Sequence, residues 1–316
     1  MNGIAGRRFL VTGGGGFLGG YVVRRLAAAG AASVFVPRRD AYDLRDRAAC
    51  ERAIADGRPD IVIHAAGVVG GIAANAAAPG TLFYDNAVMG IHMIEACRIA
   101  AVEKLVTVGS VCAYPLDAPL PLAEGSLWDG LPEPTNAAYG LAKRMLLAQQ
   151  QAYRTQFGMN AIYLLPTNLY GPGDDFDPQS GHVIAALIRK FVDAAARALP
   201  AVTLWGSGGA TRDFLFVDDA ARAIVMLAAS YDDGEPVNLG SGAEVTVREL
   251  AARIARLSKY RGSIRWDTTM PEGQPRRVVS AARAARLGFT AETTLDDGLS
   301  ATIAWYRASG LPAARQ

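Results

Sequence analysis

The sequence predicts an α/β protein in which helices cover both faces of a parallel sheet and a smaller α/β lobe packs against it. Three observations predict this fold. Apolar runs of strand length alternate with helical patterns through the first half of the chain. A glycine-rich turn follows the first of these runs and opens the first helix. After residue 170 the alternation weakens, and loops rich in Gly, Pro and Asp separate shorter elements.

The predicted elements run in order along the chain. Strands are expected in RRFLVT, ASVFVPR, PDIVIHAAG, KLVTVGSVCAYP and NAIYLLPTNLYGP. Helices are expected between them, from the glycine turn to Gly30 and at 47–57, 81–101 and 137–157. The second part predicts a helix in HVIAALIRKFVDAAARA, then strand, loop, strand and helix in VTLWGSGGATRDFLFVDDAARAIVMLAAS, a helix at 246–258, a strand in SIRWD and a helix near 295–309.

The composition is that of a globular chain and excludes several function classes. Its 316 residues are 51% hydrophobic and carry a formal net charge of +2, so no nucleic acid or membrane partner is expected. The three cysteines, Cys50, Cys97 and Cys112, form no CxxC and no Cys/His cluster, so we expect no metal site. We expect no signal peptide, no apolar span of about 18 residues and a cytoplasmic location.

The glycine turn carries the first functional signal. Gly13, Gly16 and Gly19 are spaced G-x-x-G-x-x-G between a strand and a helix. Glycine permits the tight turn and lets a pyrophosphate approach the N–H groups at the helix N-terminus. A purely structural turn is the alternative, but the N-terminal strand–turn–helix context favours a Rossmann-type dinucleotide site.

The end of the second strand indicates which dinucleotide is bound. Arg38 and Arg39 stand where arginine accepts a 2′-phosphate, which favours NADPH over NADH. Asp40 follows directly and could blur that choice, and two solvated arginines are the alternative interpretation. Asp43 and Leu44 could flank the adenine.

A tyrosine and a lysine four residues apart predict a catalytic pair. Tyr139 and Lys143 share one face of a helix, so we expect the ammonium to lower the pKa of the phenol from about 10. Ser110 stands at the end of the fourth strand, where ligands bind in open α/β sheets. These three residues predict a site that orients a carbonyl for hydride transfer.

These motifs are similar to those of the extended short-chain dehydrogenase/reductases that act on sugar nucleotides. More specific stretches resemble the GDP-L-fucose synthase family, which epimerises a GDP-4-keto-6-deoxy sugar at C3 and C5 and then reduces C4 with NADPH. They are VGGIAAN (69–75), GSVCAYP (109–115), EPTNAAYGLAK (133–143), PTNLYGPGDDF (166–176), GHVIAALIRKF (181–191), WGSGGATRDFLFVDD (205–219) and WDTTMPEGQPRR (266–277). The resemblance covers nearly the whole chain.

The resemblance implies the residues that contact NADPH or NADP. They are Gly13, Gly16, Phe17, Leu18, Gly19, Arg38, Arg39, Asp43, Leu44, Ala65, Ala66, Tyr139, Lys143, Pro166, Asn168, Leu169 and His182. The domain division expected from it is an NADP-binding Rossmann domain at 1–168 and 213–236. The substrate domain is then expected at 169–212 and 237–316.

The resemblance also implies the proton-transfer and substrate residues. Cys112 and His182 match the epimerisation pair, although the sequence leaves open which is the base and which the acid. The substrate is expected to contact Asn168, Lys190, Trp205, Arg212 and Arg277, with Arg189 and Arg276 as further candidates. Structural roles are expected for His64, His92, Cys50 and Cys97.

The chain departs from the family pattern on the sugar side of the site. Val68, Gly181, Asp175, Met270 and Ser280 stand where the family has other residues, and NAAYG (136–140) replaces NEPYA. Two alternatives therefore stay open. A C4-reductase without epimerisation could act on a related sugar such as a GDP-4-keto-6-deoxyheptose, and a non-catalytic NADP(H)-sensing protein is possible. A dehydratase is disfavoured because Val111 and Cys112 replace the acidic pair that it needs. A homodimer through the helices near 82–100 and 137–157 is expected.

Overall fold

The computed structural model describes residues 3–310 except 71–74, 76, 178–180 and 271–273. Parts of the VGGIAAN and WDTTMPEGQPRR motifs therefore lie outside the described residues. The strands are β1 (Arg8–Thr12), β2 (Ser33–Phe35), β3 (Ile61–His64), β4 (Lys104–Val108), β5 (Ala161–Pro166), β6 (Asn168–Tyr170), β7 (Ala201–Trp205), β8 (Thr211–Phe216), β9 (Val237–Leu239), β10 (Glu244–Thr246), β11 (Ser263–Asp267) and β12 (Arg276–Arg277). The helices are α1 (Phe17–Ala28), α2 (Arg47–Gly57), α3 (Pro79–Ile99), α4 (Ala137–Phe157), α5 (Val183–Ala196), α6 (Val217–Ser230), α7 (Val247–Leu257), α8 (Ala282–Arg286) and α9 (Leu295–Ala308).

Six parallel strands form the main sheet, in the order β2-β1-β3-β4-β5-β9. Strands β3, β4 and β5 are buried along their whole length, as continuous apolar runs in a doubly covered sheet require. One apolar core packs α1 and α6 on one face, through residues such as Leu26 and Ile224. A second core packs α2, α3 and α4 on the other face, through residues such as Met93 and Leu146. The predicted fold class is confirmed.

A second lobe is built from the later strands and helices. Strand β8 pairs with β6, β10 and β12, and β7 pairs in parallel with β11. Their shared apolar core includes Phe191 from α5, Leu250 from α7 and Ile303 from α9. Within the described ranges, no helix combines the length and apolar character needed to cross a membrane.

Most predicted elements are present, and the differences have local causes. Helices α2 and α4 have the predicted bounds, while α3 runs from 79 to 99 because Pro79 is accommodated in its first turn. The predicted fifth strand is two strands. The Thr167 N–H bonds Leu239 of β9, and its hydroxyl bonds the Asp213 carbonyl of β8, so the chain passes there from one sheet to the other. Strands β9, β10 and β12 were not predicted, since they have three residues or fewer.

Candidate active site

The predicted triad meets at the carboxyl end of β4. Ser110 follows that strand and caps the short 3-10 turn Val111–Ala113, where its hydroxyl oxygen accepts the Cys112 N–H at 3.2 Å. Helix α4 brings Tyr139 and Lys143 to the same place. Gly140 makes this close approach possible, since a Cβ on it would lie 2.1 Å from the Cys112 carbonyl oxygen.

Tyr139 is buried, with 7% of its surface exposed. Burial raises the pKa of its phenol above the ordinary value, Cys112 adds to the shift, and a hydrogen bond with Ser110 opposes it. The expected lowering of this pKa by Lys143 was wrong. The Lys143 Nζ lies 5.9 Å from the centre of the Tyr139 ring, and the largest effect on the pKa of the phenol is its loss of solvent.

Lys143 is also buried, and burial lowers the pKa of its ammonium to about 8. Its Nζ donates to the carbonyl of Val108 at 3.3 Å, at the last residue of β4. Behind it, His64 hydrogen-bonds Thr12 through Nδ1 at 2.8 Å. Burial, reinforced by the Lys143 charge, lowers the pKa of His64 to about 3, so this histidine is neutral. That geometry agrees with the structural role expected for His64.

Cys112 lies between the 3-10 turn and two arginines of the second lobe. The Arg277 Nη1 lies 3.6 Å from the Cys112 Sγ, and Arg212 is the neighbour of Arg277 on the adjacent strand β8. Burial lowers the pKa of Arg212 to about 10, Arg277 lowers it further, and Cys112 acts in the opposite direction. Arg276 instead forms a two-pronged ion pair with Glu244, so Arg277 is the arginine that faces the site.

His182 is the residue that precedes α5, and its side chain is half-exposed. Its Nδ1 lies 3.9 Å from the Asp174 Oδ1, and this carboxylate raises the pKa of His182 against the opposing effect of burial. Sequence reasoning missed Asp174. The only signal for it was an acidic residue in the loop before the histidine, and many loops carry one.

The other predicted substrate residues make no contact with the triad of Ser110, Tyr139 and Lys143 through hydrogen bonds or ion pairs among the described residues. Lys190 and Trp205 are exposed, and the described residues show no hydrogen bond or ion pair from them or from His182 to the triad. The Asn168 side chain donates to the Asp213 carbonyl at 2.9 Å. Arg189 donates to the Phe176 carbonyl at 2.8 Å, which is a structural contact.

A cavity of about 350 Å³ opens beside the glycine turn. Gly13 has φ +71°, and a Cβ on it would lie 2.8 Å from the Ala66 nitrogen, so both the turn and the close approach require glycine. A Cβ on Gly19 would overlap the Gly13 carbonyl. The cavity is lined by Gly13, Gly15, Gly16, Pro37, Arg38, Arg39, Asp40, Tyr42, Asp43, Leu44, Arg45, Ala66, Gly67, Val68, Asp85 and Met89.

Charge in this cavity suits an anionic nucleotide. Arg38 lies across the glycine turn, where a Cβ on Gly15 would meet its guanidinium, and neither Arg38 nor Arg39 forms an ion pair with another described residue. Asp43 is engaged by Arg45, whose hydrogen bonds lower the pKa of Asp43 to about 2. The donor set therefore fits a dinucleotide with an additional phosphate.

The cavity lining does not include five other predicted cofactor residues, which are Phe17, Leu18, Ala65, Pro166 and Leu169. Phe17 and Leu18 begin α1, and Ala65 follows β3 with its N–H bonded to the Thr12 carbonyl at 3.2 Å. Pro166 ends β5, and Leu169 lies in β6 and packs against the first core.

Over the described parts of the chain, no group of three or more His, Cys, Asp and Glu side chains could hold a metal ion.

Comparisons with known proteins identify the family. Residues 9–240 match the model of the NAD dependent epimerase/dehydratase family. The chain is 41% identical over 295 residues to a GDP-L-fucose synthase of Sinorhizobium fredii, covering 93% of this chain and 94% of the relative. It is 40% identical over 299 residues to GDP-L-fucose synthase 1 of Arabidopsis thaliana, covering 95% and 93%.

A solved structure of a GDP-L-fucose synthetase has the same fold as this chain. The GDP-L-fucose synthetase of Naegleria fowleri bound to NADP is 28% identical and superposes with a TM-score of 0.87, over 97% of this chain and 96% of that one. The sequence motifs, the fold and the relatives agree. The chain belongs to the NAD dependent epimerase/dehydratase family and, within it, to the GDP-L-fucose synthases.

Proposed function

We propose that the chain reduces C4 of a GDP-4-keto-6-deoxy sugar with NADPH after epimerising the sugar at C3 and C5. One observation carries this proposal. The reductase residues Ser110, Tyr139 and Lys143 meet at the end of β4, and the same turn presents the half-buried thiol of Cys112 beside Arg277. The names of the relatives support the substrate class.

The cofactor site is assigned to the cavity at the glycine turn. The N–H groups at the start of α1 would hold the pyrophosphate, and Arg38 with Arg39 would hold the 2′-phosphate. When bound, NADPH supplies the hydride. The role of the chain is to bind and orient it and to control protons at the sugar.

Epimerisation requires one group that removes a proton next to the ketone and another that returns one to the opposite face. The half-buried Sγ of Cys112 lies 3.6 Å from the Arg277 Nη1, in the turn that also carries Ser110, and this position supports Cys112 as the base. The raised pKa of His182 supports this residue as the acid. The hydroxyls of Ser110 and Tyr139 would stabilise the enolate oxygen.

The reduction step uses the same tyrosine. Because burial raises its pKa, Tyr139 is fully protonated at neutral pH, as a proton donor to O4 must be. After donation the phenolate would lie near the Lys143 ammonium, whose charge stabilises it. Lys143 would also bond the cofactor ribose.

The direct test is an NMR assay in deuterated water with GDP-4-keto-6-deoxymannose and NADPH. A fucose product carrying deuterium at C3 and C5 is expected. Oxidation of NADPH that gives an unlabelled 6-deoxy sugar would show a reductase without epimerisation. Binding of NADPH without turnover would contradict the proposed hexose substrate, and a 4-keto-6-deoxyheptose analogue would then be assayed.

The reductase-only alternative is kept because the departures from the family pattern lie on the sugar side. A Cβ on Gly181 would lie 2.6 Å from the Asp177 carbonyl oxygen, so a serine at this position would clash with that carbonyl. The presence of both Cys112 and His182 favours the bifunctional activity.

We also propose the domain division, the assembly and the location expected from the sequence. The separate core of the second lobe supports a substrate domain at 169–212 and 237–316, although β9 of that range lies in the main sheet. Exposed apolar side chains on α3 and α4, such as Tyr84 and Phe157, support a homodimer through these helices. The three free cysteines support a reducing cytoplasm. Gel filtration with light scattering tests the dimer.

A further inference from the structure

The loop between β6 and α5 holds a buried carboxylate that the proposed reaction steps do not use. The Asp174 side chain is only 4% exposed. Its Oδ1 accepts the Asp175 N–H at 2.8 Å, and its Oδ2 has no hydrogen-bond partner among the described residues. A buried carboxylate oxygen without a hydrogen-bond partner is costly, so the position of Oδ2 requires an explanation.

His182 is the basic group that faces this carboxylate. The distance from its Nδ1 to the Asp174 Oδ1 is 3.9 Å, so a small movement of the half-exposed ring would close a hydrogen bond. The second acidic group that acts on the ring is Asp175, whose effect is smaller. Asp175 is exposed, and its Oδ1 already accepts the Asp177 N–H at 2.9 Å.

The backbone fixes the two partners relative to each other. The Gly181 N–H bonds the Asp177 carbonyl at 2.9 Å. A Cβ on Gly181 would also lie 2.7 Å from the Asp175 carbonyl, so the residue before His182 packs directly on the loop that carries Asp174. The His182 carbonyl accepts the Ala186 N–H and begins α5. The backbone of His182 is therefore anchored between α5 and the segment that carries Asp174.

We propose that Asp174 is the positioning residue for His182, holding its ring through Nδ1 and keeping it protonated so that Nε2 carries the proton to be delivered. This role rests on the proposed function, in which His182 returns a proton to the sugar. In that step the Nε2–H bond breaks and its electron pair stays on the ring. The enolate electron pair forms the new C–H bond, and the neutral ring then takes a proton from solvent.

The first test follows the ring itself. The chain has three histidines, so ring signals are few, and the His182→Asn variant assigns the one of interest. In Asp174→Asn we expect the NMR titration midpoint of His182 to fall towards the ordinary value. In the control Asp175→Asn, which loses the same charge from an exposed position, we expect a clearly smaller fall. Equal midpoints in the wild type and Asp174→Asn would overturn the proposal.

The second test follows proton transfer. In Asp174→Asn we expect solvent deuterium to enter the sugar at least about tenfold more slowly. We also expect the pH at which this exchange declines to move down together with the NMR midpoint. A slower rate with an unmoved pH profile would indicate a merely structural role and overturn the proposal. NADPH affinity and melting temperature serve as fold controls, and Asp174→Ser replaces the Asn variant if that one does not fold.

The two proposals fail in different ways. If the wild type incorporates no deuterium, the proposed epimerisation fails. The His182 titration still decides whether Asp174 holds the ring, because it needs no substrate.

Discussion

Replacing Gly140 with alanine tests whether the turn that carries Cys112 must lie against α4. Gly140 lies in the first part of this helix, one residue after Tyr139. A Cβ built there would be 2.1 Å from the Cys112 carbonyl oxygen and 2.9 Å from its carbonyl carbon. The family pattern has alanine at this position, so the turn in this chain lies closer to the helix than an alanine permits.

The size of the effect follows from these distances. Cβ contacts shorter than 3.0 Å essentially do not occur, so the oxygen must retreat by about 0.9 Å, and the obstacle is backbone rather than a flexible side chain. Overpacking of this kind costs roughly 1–3 kcal/mol, while alanine in a helix gains about 1 kcal/mol over glycine. The net loss is up to about 2 kcal/mol. A reacting group displaced by about 1 Å loses up to roughly a hundredfold in rate.

We therefore expect Gly140→Ala to melt up to about 5 °C lower and to exchange solvent deuterium at C3 and C5 about ten- to a hundredfold more slowly. The control is Gly80→Ala in α3, where a Cβ would meet nothing within 4 Å and exchange should be unchanged. Calorimetry and the NMR exchange assay measure both variants. If Gly140→Ala exchanges at the wild-type rate and melts no lower than the wild type, the packing argument is refuted.

Charged side chains give three further predictions. Replacing both Arg38 and Arg39 with serine should weaken NADPH binding roughly ten- to a hundredfold, because hydrogen bonds to a charged phosphate contribute about 1.5–3 kcal/mol. The affinity for NADH should be nearly unaffected in the same fluorescence titration. Equal losses of affinity for NADPH and NADH would contradict this prediction. Burial lowers the pKa of Lys143 from 10.5 to about 8, so the unfolded chain binds more protons between these values and stability rises with pH there. Lys143→Met should therefore raise the melting temperature of the ligand-free protein more at pH 7 than at pH 10, and equal rises would be evidence against a buried ammonium. Arg277→Gln removes the positive charge 3.6 Å from the Cys112 Sγ and should slow iodoacetamide labelling of this sulfur several-fold in a mass-spectrometric time course. An unchanged rate would mean that the guanidinium does not influence the reactivity of Cys112.

Helices with a repeating apolar pattern, and strands that are continuous buried runs, could be predicted from the sequence. Helices α2 and α4 have the predicted bounds, and β3 and β4 form continuous buried runs. The short strands β9 and β12 could not be predicted, since two or three residues carry no period. They exist because a neighbouring strand pairs with them, β5 in one case and β8 in the other.

Some features of the candidate site could also be predicted from local sequence, and others depend on the tertiary fold. The glycine turn and the pair Tyr139 and Lys143 are local patterns, so their spacing alone placed them on a turn and on one helix face. The pKa of Tyr139 could not be predicted from that spacing. It depends on how completely the fold removes water from the phenol, and this burial is the largest effect on the pKa of Tyr139.

The sequence by itself determined the fold class, the dinucleotide turn and the chemistry that the reacting residues can perform, because all of these follow from residue type and short spacing. Only the tertiary structure decided which charge faces which reacting group. Arg277 reaches Cys112 across 165 residues of chain, and the Asp174 Oδ1 lies 3.9 Å from the His182 Nδ1. Such contacts depend on distance in space and on the exclusion of water, and neither quantity is encoded in any local pattern.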